Sequence, residues 1–226
     1  MSFTNSITQK DDRVVILTEY RPPLDLVAAL SGRTFKRLHL YGRPTNLSHL
    51  STLDQLVELR MERTKLEDFS LLAGMTRLEE LIYSSGSLKE CDLSFAASSL
   101  TSLCLSSHRS LTDLTPIGRC TELKRLTLRN LPHLESYCDL KSLPHLELLI
   151  LQNLGQWPSL KGLEQTQSLR RLHLDRTKIA DGNWEPLLNV KRLEYVSALE
   201  DAFGKTAAAE FRKRRPEVQA PRRFPG

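Results

Sequence analysis

Pairs of apolar residues two positions apart recur along the chain: Leu38 and Leu40, Leu59 and Met61, Leu81 and Tyr83, Leu103 and Leu105, Leu126 and Leu128, Leu149 and Leu151, Leu172 and Leu174. The opening leucines return at a nearly constant interval, which lengthens slightly toward the end of the array. Within a pair the period of two predicts a short strand with one buried face. Seven or eight positions after each opening leucine comes another apolar residue, as at Leu66, Leu88, Leu111, Leu134, Trp157 and Ile179. A spacing of three follows, clearest in Phe69, Leu72, Met75 and Leu78, which suits a tight 3-10 or extended turn better than a second strand. Asp68 and Asp113 stand where a carboxylate can cap exposed backbone amides, and Pro116 lies near the start of one such segment, where proline is tolerated. Each copy is a strand plus a return. Weaker copies flank the seven: Val15 with Leu17, one interval before Leu38, and Val196 with Ala198, one interval after Leu172.

No copy can bury its own leucines, so the copies must stack, with strands side by side in a parallel ladder and returns behind them around one apolar column. The run Leu56, Leu59, Met61, Thr64, Leu66, Asp68 fits L-x-x-L-x-L-x-x-T-x-L-x-D. It resembles the 22-residue class of leucine-rich repeats found in internalins and in a regulatory subunit of protein phosphatase 1. The resemblance covers about residues 35 to 199 and implies an α/β solenoid: a curved horseshoe with a parallel strand ladder on the concave face and short helical or extended returns on the convex face. The place usually held by asparagine after the strand is Arg43, Thr64, Gly86 and Thr177 here, while Asn130 and Asn153 fall one place off it.

The ends of such an array must be covered. Residues 1–34 are expected to form an N-terminal cap with a degenerate first repeat, 35–199 the repeats, and 200–226 a capping helix and basic tail, all in a single domain. At the front, Pro22 to Leu30 predicts a helix started by proline that buries Leu24, Val27 and Leu30. At the back, Thr206 to Arg215 predicts a helix with Thr206 as N-cap, closing the column with Phe203, Ala207 and Phe211. Trp157 falls on a core position, and Trp184 is either an exposed anchor or a plug for the end.

Composition changes this picture little. A chain 40% hydrophobic and 26% charged is that of an ordinary folded protein. No run suits a membrane span and the start has no export signal, which places the protein in the cytoplasm. The four cysteines form no C-x-x-C pair and are expected to be free thiols. The net charge of +5 is concentrated in Lys205–Gly226, and in the remainder basic and acidic residues are equal in number. Arg212, Lys213, Arg214, Arg215, Arg222 and Arg223 could anchor nucleic acid or an anionic membrane. Alternatively, they favour a helix C-terminus and a solubilising tail.

Between the buried leucines, the alternate strand residues face outward and form the one long programmable surface. They include Tyr41; Arg60 and Glu62; Ile82; Cys104; Arg125, Thr127 and Arg129; Leu148, Ile150 and Gln152; and His173 and Asp175. Ile82, Cys104, Thr127 and Ile150 form a less charged middle column inside a charged rim, the composition of a protein-binding patch; β-branched residues there also suit local packing alone. The expected function is non-catalytic recognition of a protein partner. Ser197, His173 and Asp175 could begin a triad, but the ladder consumes the nearby amides and leaves no oxyanion hole. Cys104 has only His108, in the following loop, as a neighbouring base. Six scattered histidines and ten glycines without a phosphate-loop pattern point to no metal and no cofactor.

Overall fold

The computed structural model describes residues 5–18 and 22–221. Its strands are β1 (Ser6–Lys10), β2 (Arg13–Thr18), β3 (Arg37–Gly42), β4 (Glu58–Glu62), β5 (Glu80–Ser84), β6 (Ser102–Ser106), β7 (Arg125–Arg129), β8 (Leu148–Gln152), β9 (Gly155–Trp157), β10 (Arg171–His173), β11 (Thr177–Ile179) and β12 (Tyr195–Ser197). Its α-helices are α1 (Leu26–Leu30), α2 (Leu199–Phe203) and α3 (Lys205–Arg214). One open sheet runs β1-β2-β3-β4-β5-β6-β7-β8-β10-β12, parallel throughout except for the antiparallel β1–β2 hairpin. A second, two-stranded sheet pairs β9 with β11 behind the first, in the part of the array where the repeats are longer. This is the expected solenoid.

Register follows the leucines. Leu59 pairs with Leu81, Leu103 with Leu126, and Leu149 with Leu172, all buried on one side of the ladder. Behind them short 3-10 segments such as Ser70–Leu72 and Thr115–Arg119 return the chain, with Phe69, Leu72, Met75 and Leu78 all buried. Asp68 Oδ1 accepts from the Ser70 N–H at 2.8 Å and Asp113 Oδ1 from the Thr115 N–H at 2.8 Å; Asp92 and Asp139 repeat the arrangement.

After each strand the chain leaves through one left-handed residue: Arg63, Ser85, Ser107, Asn130, Asn153 and Arg176 all have φ between 48° and 61°. Asn130 and Asn153 therefore occupy a position that tolerates positive φ. The next residue points inward, and several solutions fill it. Thr177 Oγ1 donates to Leu151 O at 3.1 Å and accepts the Leu154 N–H at 3.3 Å. In the third complete repeat, Gly86 leaves that space empty and Tyr83 reaches into it. The Tyr83 hydroxyl lies 2.8 Å from Thr64 O and 2.9 Å from Leu66 O and accepts the Leu66 N–H at 2.9 Å. A Cβ on Gly86 would come within 2.1 Å of the tyrosine ring. His108 closes the cluster, its Nε2 donating to Tyr83 O at 2.9 Å; burial pushes this imidazole toward its neutral form.

The ends depart from expectation in several details. In β2, Val14 and Ile16 are buried opposite Leu38 and Leu40, while Val15 and Leu17 face outward, one residue out of the expected register. The cause is a run of four apolar residues that allows either register; here β1 pairs with the other edge of β2. Helix α1 starts after Asp25, which caps the Ala28 N–H at 3.1 Å, and buries Leu26, Ala29 and Leu30, leaving Val27 46% exposed.

At the far end α3 begins at Lys205 behind Gly204 (φ 86°), so Thr206 caps nothing. Ala208 rather than Ala207 joins Phe211 in the core, with Phe203 half-buried against it. Trp184 packs edge-on against Phe211 at 6.1 Å, as a plug, with Arg214 above its ring. The segment after α3 then returns to the open edge. Gln219 bridges Tyr195, Val218 is buried, and Arg215 Nη1 donates to the carbonyls of Leu187 and Leu188 at 2.9 Å each. Arg212 bonds Ala220 O and Glu200.

Three outcomes test this construction. Leu126→Asp places an unpaired charge in the continuous column and should abolish the cooperative thermal transition. Tyr83→Phe leaves buried backbone groups unpaired and should cost about 1–3 kcal/mol in urea denaturation; Gly86→Ala should cost more, and adding Tyr83→Leu to it should recover part of the loss, a coupling readable in a double-mutant cycle. Arg215→Ala should destabilise by about 2 kcal/mol or more because it leaves end-cap carbonyls without their donor, whereas Lys213→Ala, on the exposed side of α3, should stay within about 0.5 kcal/mol.

Candidate functional site

The strand register sorts the outward residues into three columns. The first runs Arg13, Arg37, Glu58, Glu80, Ser102, Arg125, Leu148, Arg171, Tyr195. The middle runs Val15, His39, Arg60, Ile82, Cys104, Thr127, Ile150, His173, Ser197. The third runs Leu17, Tyr41, Glu62, Ser84, Ser106, Arg129, Gln152. All of Ile82, Cys104, Thr127, Leu148 and Ile150 are half-buried, so the apolar centre is partly open to solvent.

Charge on this face is organised around two carboxylates that sequence reasoning did not single out. Glu58, with a side chain 10% exposed, accepts from Arg60 Nε at 2.7 Å, lies 2.8 Å from His39 Nε2, and pairs with Arg13 at 3.3 Å and Arg37 at 3.6 Å. Burial alone would raise the Glu58 carboxyl, but the hydrogen bond to His39 and the charges of Arg60 and Arg13 outweigh it and hold it below the usual range. Glu80 receives Arg60 at 2.9 Å and Arg125 at 3.5 Å. Arg60 and Arg125, expected as contact residues, are thus tied into an internal network, which fixes their orientation. Tyr41 carries the Arg63 guanidinium 5.5 Å from its ring centre, and Gln152 Nε2 donates to Asp175 at 2.9 Å. Glu62 is exposed at the end of β4.

Val15 and Leu17 were missed because the sequence register turned them inward. Leu17 is 41% exposed, and with Val15, Tyr41 and Ile82 it walls a cleft of about 330 Å³ whose polar side is His39 and Arg60. The apolar surface therefore extends to the front of the ladder. Placing Arg13 beside Arg37 in the first column would have been the signal for Glu58 as a hub.

The catalytic candidates are brought close but not into working order. His173 Nδ1 lies 2.9 Å from Ser197 Oγ, yet Ser197 is fully buried and the Asp175 carboxylate is engaged by Gln152. Burial, with Arg171 and Arg129 nearby, pushes the His173 imidazole toward its neutral form. At Cys104 burial pushes the thiol up despite Arg129 and Arg60, the reverse of what an activated nucleophile needs. His108, its sequence neighbour, is buried in the Tyr83 cluster. In the basic tail Arg212 and Arg215 are spent on the end cap, Lys213 and Arg214 are exposed, and Arg222 and Arg223 lie outside the described residues.

No protein-family model and no curated protein matches the chain. Solved structures do. An internalin, InlF, from Listeria monocytogenes is 18% identical with a TM-score of 0.54, the match covering 77% of this chain and 57% of that one. A leucine-rich repeat protein of Leptospira interrogans is 18% identical with a TM-score of 0.51, covering 84% and 60%. The leucine-rich repeat ectodomain of the receptor kinase GASSHO1/SCHENGEN3 from Arabidopsis thaliana, in complex with Casparian strip integrity factor 2, is 17% identical with a TM-score of 0.50, covering 87% and 29%. The chain thus spans less than two thirds of the length of each. The repeat interval, the parallel ladder with its 3-10 returns and these likenesses together show that the chain has the leucine-rich repeat fold.

Proposed function

We propose that this chain is a non-catalytic recognition module that binds a protein partner through the outward face of its strand ladder. The observation that carries the proposal is the register-aligned run of Ile82, Cys104, Thr127 and Ile150, with Leu148 beside it, left partly open on a surface whose charges are held in place by Glu58 and Glu80. Val15, Leu17 and Tyr41 extend the apolar area to the front; Glu62, Arg129, Gln152, His173 and Asp175 supply polar contacts at its margin. An apolar centre with ordered charge around it is the anatomy of a protein interface. The plant ectodomain, captured with Casparian strip integrity factor 2, is a leucine-rich repeat fold holding a partner. Four unpaired cysteine thiols support a reducing compartment, and we place the protein in the cytoplasm.

Ile82→Glu combined with Ile150→Glu should weaken partner capture by about 2 kcal/mol or more, roughly 30-fold, with the melting temperature shifted by less than about 3 °C because both side chains stand on the open face. Affinity capture followed by mass spectrometry identifies the partner with the parent chain and then reads the loss with the variant. Undiminished capture by a variant that melts normally would move the binding surface off the ladder face.

A further inference from the structure

Basic side chains along the strand ladder differ in how they are paired. On the front of the ladder they share two carboxylates, Arg13, Arg37 and Arg60 pairing with Glu58, and Arg60 and Arg125 with Glu80. Along the rim where β6, β7, β8 and β10 end, Arg109, Arg129 and Arg176 form no ion pair among the described residues, and Arg129 Nε is withdrawn from solvent without an acceptor among them. The same rim is rich in amide donors. Ser107, Asn130 and Asn153 occupy the left-handed position on successive rungs. Their side chains form a ladder of their own, Asn153 Nδ2 donating to Asn130 Oδ1 at 2.7 Å and Asn130 Nδ2 toward Ser107 Oγ at 3.4 Å. Each amide nitrogen carries a second N–H, and both border a cleft of about 450 Å³ that Arg109, Pro132 and Gly155 also line.

We infer that this rim binds an extended acidic segment of a protein partner. From β6 to β10 the ladder takes three steps, about 14 Å at ~4.8 Å per strand, which an extended chain covers in four or five residues at about 3.3 Å each. Carboxylates spaced along such a segment meet Arg109 at one end and Arg176 at the other, and its backbone carbonyls accept from Asn130 and Asn153 between them. Asparagine matches a peptide group as both donor and acceptor. No aromatic ring lines the cleft among the described residues, so the stacking platform that single-stranded nucleic acid uses is missing there. The site adjoins the apolar column through Arg129 but does not depend on it.

The probe is a fluorescein-labelled 12-residue peptide alternating glutamate with glycine and serine, titrated with the full chain at low salt and followed by anisotropy. A glutamine-for-glutamate peptide and a 12-nucleotide oligothymidylate serve as comparisons. Saturable binding of the glutamate peptide is expected, at least tenfold tighter than the glutamine peptide. Arg109→Glu with Arg176→Glu should weaken it at least tenfold. Lys191→Glu with Arg192→Glu, an identical change in net charge at exposed positions before β12, should leave it within twofold. The side-chain amide resonances of Asn130 and Asn153 should shift on titration. Absence of saturable binding, equal loss in both double variants, unmoved amides, or tighter binding of the oligothymidylate would each overturn the assignment. If the double reversal unfolds the chain, the single Arg109→Gln change gives the readout, with a loss of about threefold expected and no loss overturning the assignment. Ile82→Ser with Ile150→Ser should keep peptide affinity within twofold, so failure of the ladder-face reading and failure of this one are told apart.

Discussion

The ladder strands from β3 to β8, and β10, carry apolar side chains, mostly leucines, that their own repeat cannot cover, and contact with the next repeat takes them out of water. Burying a leucine side chain is worth about 1.5–3 kcal/mol, and each rung contributes several, so stacking outweighs almost any local preference of the intervening chain. That explains why the interval can drift by one or two positions without disturbing register. The added length is absorbed in the connecting returns, while Leu126, Leu149 and Leu172 remain partners. It also explains why both ends need covers. The β1–β2 hairpin and α1 close the front; α2, α3 and the returning segment with Val218 close the back.

A column this regular imposes a second constraint, because the backbone must turn out of each strand at a fixed height. A left-handed conformation does this, at a cost of roughly 1–2 kcal/mol for a residue with a Cβ. Asn130 and Asn153 suit the position; Arg63, Ser85 and Ser107 are held there by backbone hydrogen bonds to the next rung, as in Arg63 N–H to Ser84 O and Ser107 N–H to Arg129 O. The inward place that follows then has to satisfy buried backbone groups by whatever means the repeat contains. Thr177 does so with a hydroxyl on its own side chain, and the Tyr83–Gly86 combination does so with a hydroxyl borrowed from the strand.

The ladder was legible because strand alternation nested inside a much longer regular repeat has few other physical solutions, and the aspartate caps at Asp68 and Asp113 were legible because they act within two positions. What was not legible depended on partners distant in sequence. The run Val14 to Leu17 is apolar at every position, and only pairing on both of its edges chooses which side is buried. Near α1, spacing alone selected Leu24, Val27 and Leu30 as one buried face, whereas the column fixed the helix's rotation so that Leu26, Ala29 and Leu30 face inward. Arg215 looked like one more tail charge, and only the folded end shows it donating to the distant carbonyls of Leu187 and Leu188, in the last return of the array. The Glu58 network joins residues from three rungs, so their charges were visible and their pairing was not. Two of the expected contact residues also take part in ion pairs, Arg60 with Glu58 and Glu80 and Arg125 with Glu80, and the register read from the sequence turned Leu17 inward.

These constraints also shape what the surface can do. Because the ladder is rigid and its column excludes alternatives, the outward residues are presented at fixed spacings and lose little freedom when something binds, which lowers the entropic cost of association. Electrostatics then differ along that rigid surface. On the front rungs the carboxylates of Glu58 and Glu80 pair with the arginines around them, which leaves apolar area beside charge held in fixed orientation. On the rear rungs the third column and the rim contain no comparable carboxylate hub among the described residues; Asp175 is turned toward Gln152, and Arg109, Arg129 and Arg176 form no ion pair among those residues. One scaffold thus offers an apolar patch and a cationic rim joined at Arg129, and a partner that matched both in shape and charge would be distinguished from one that matched either alone.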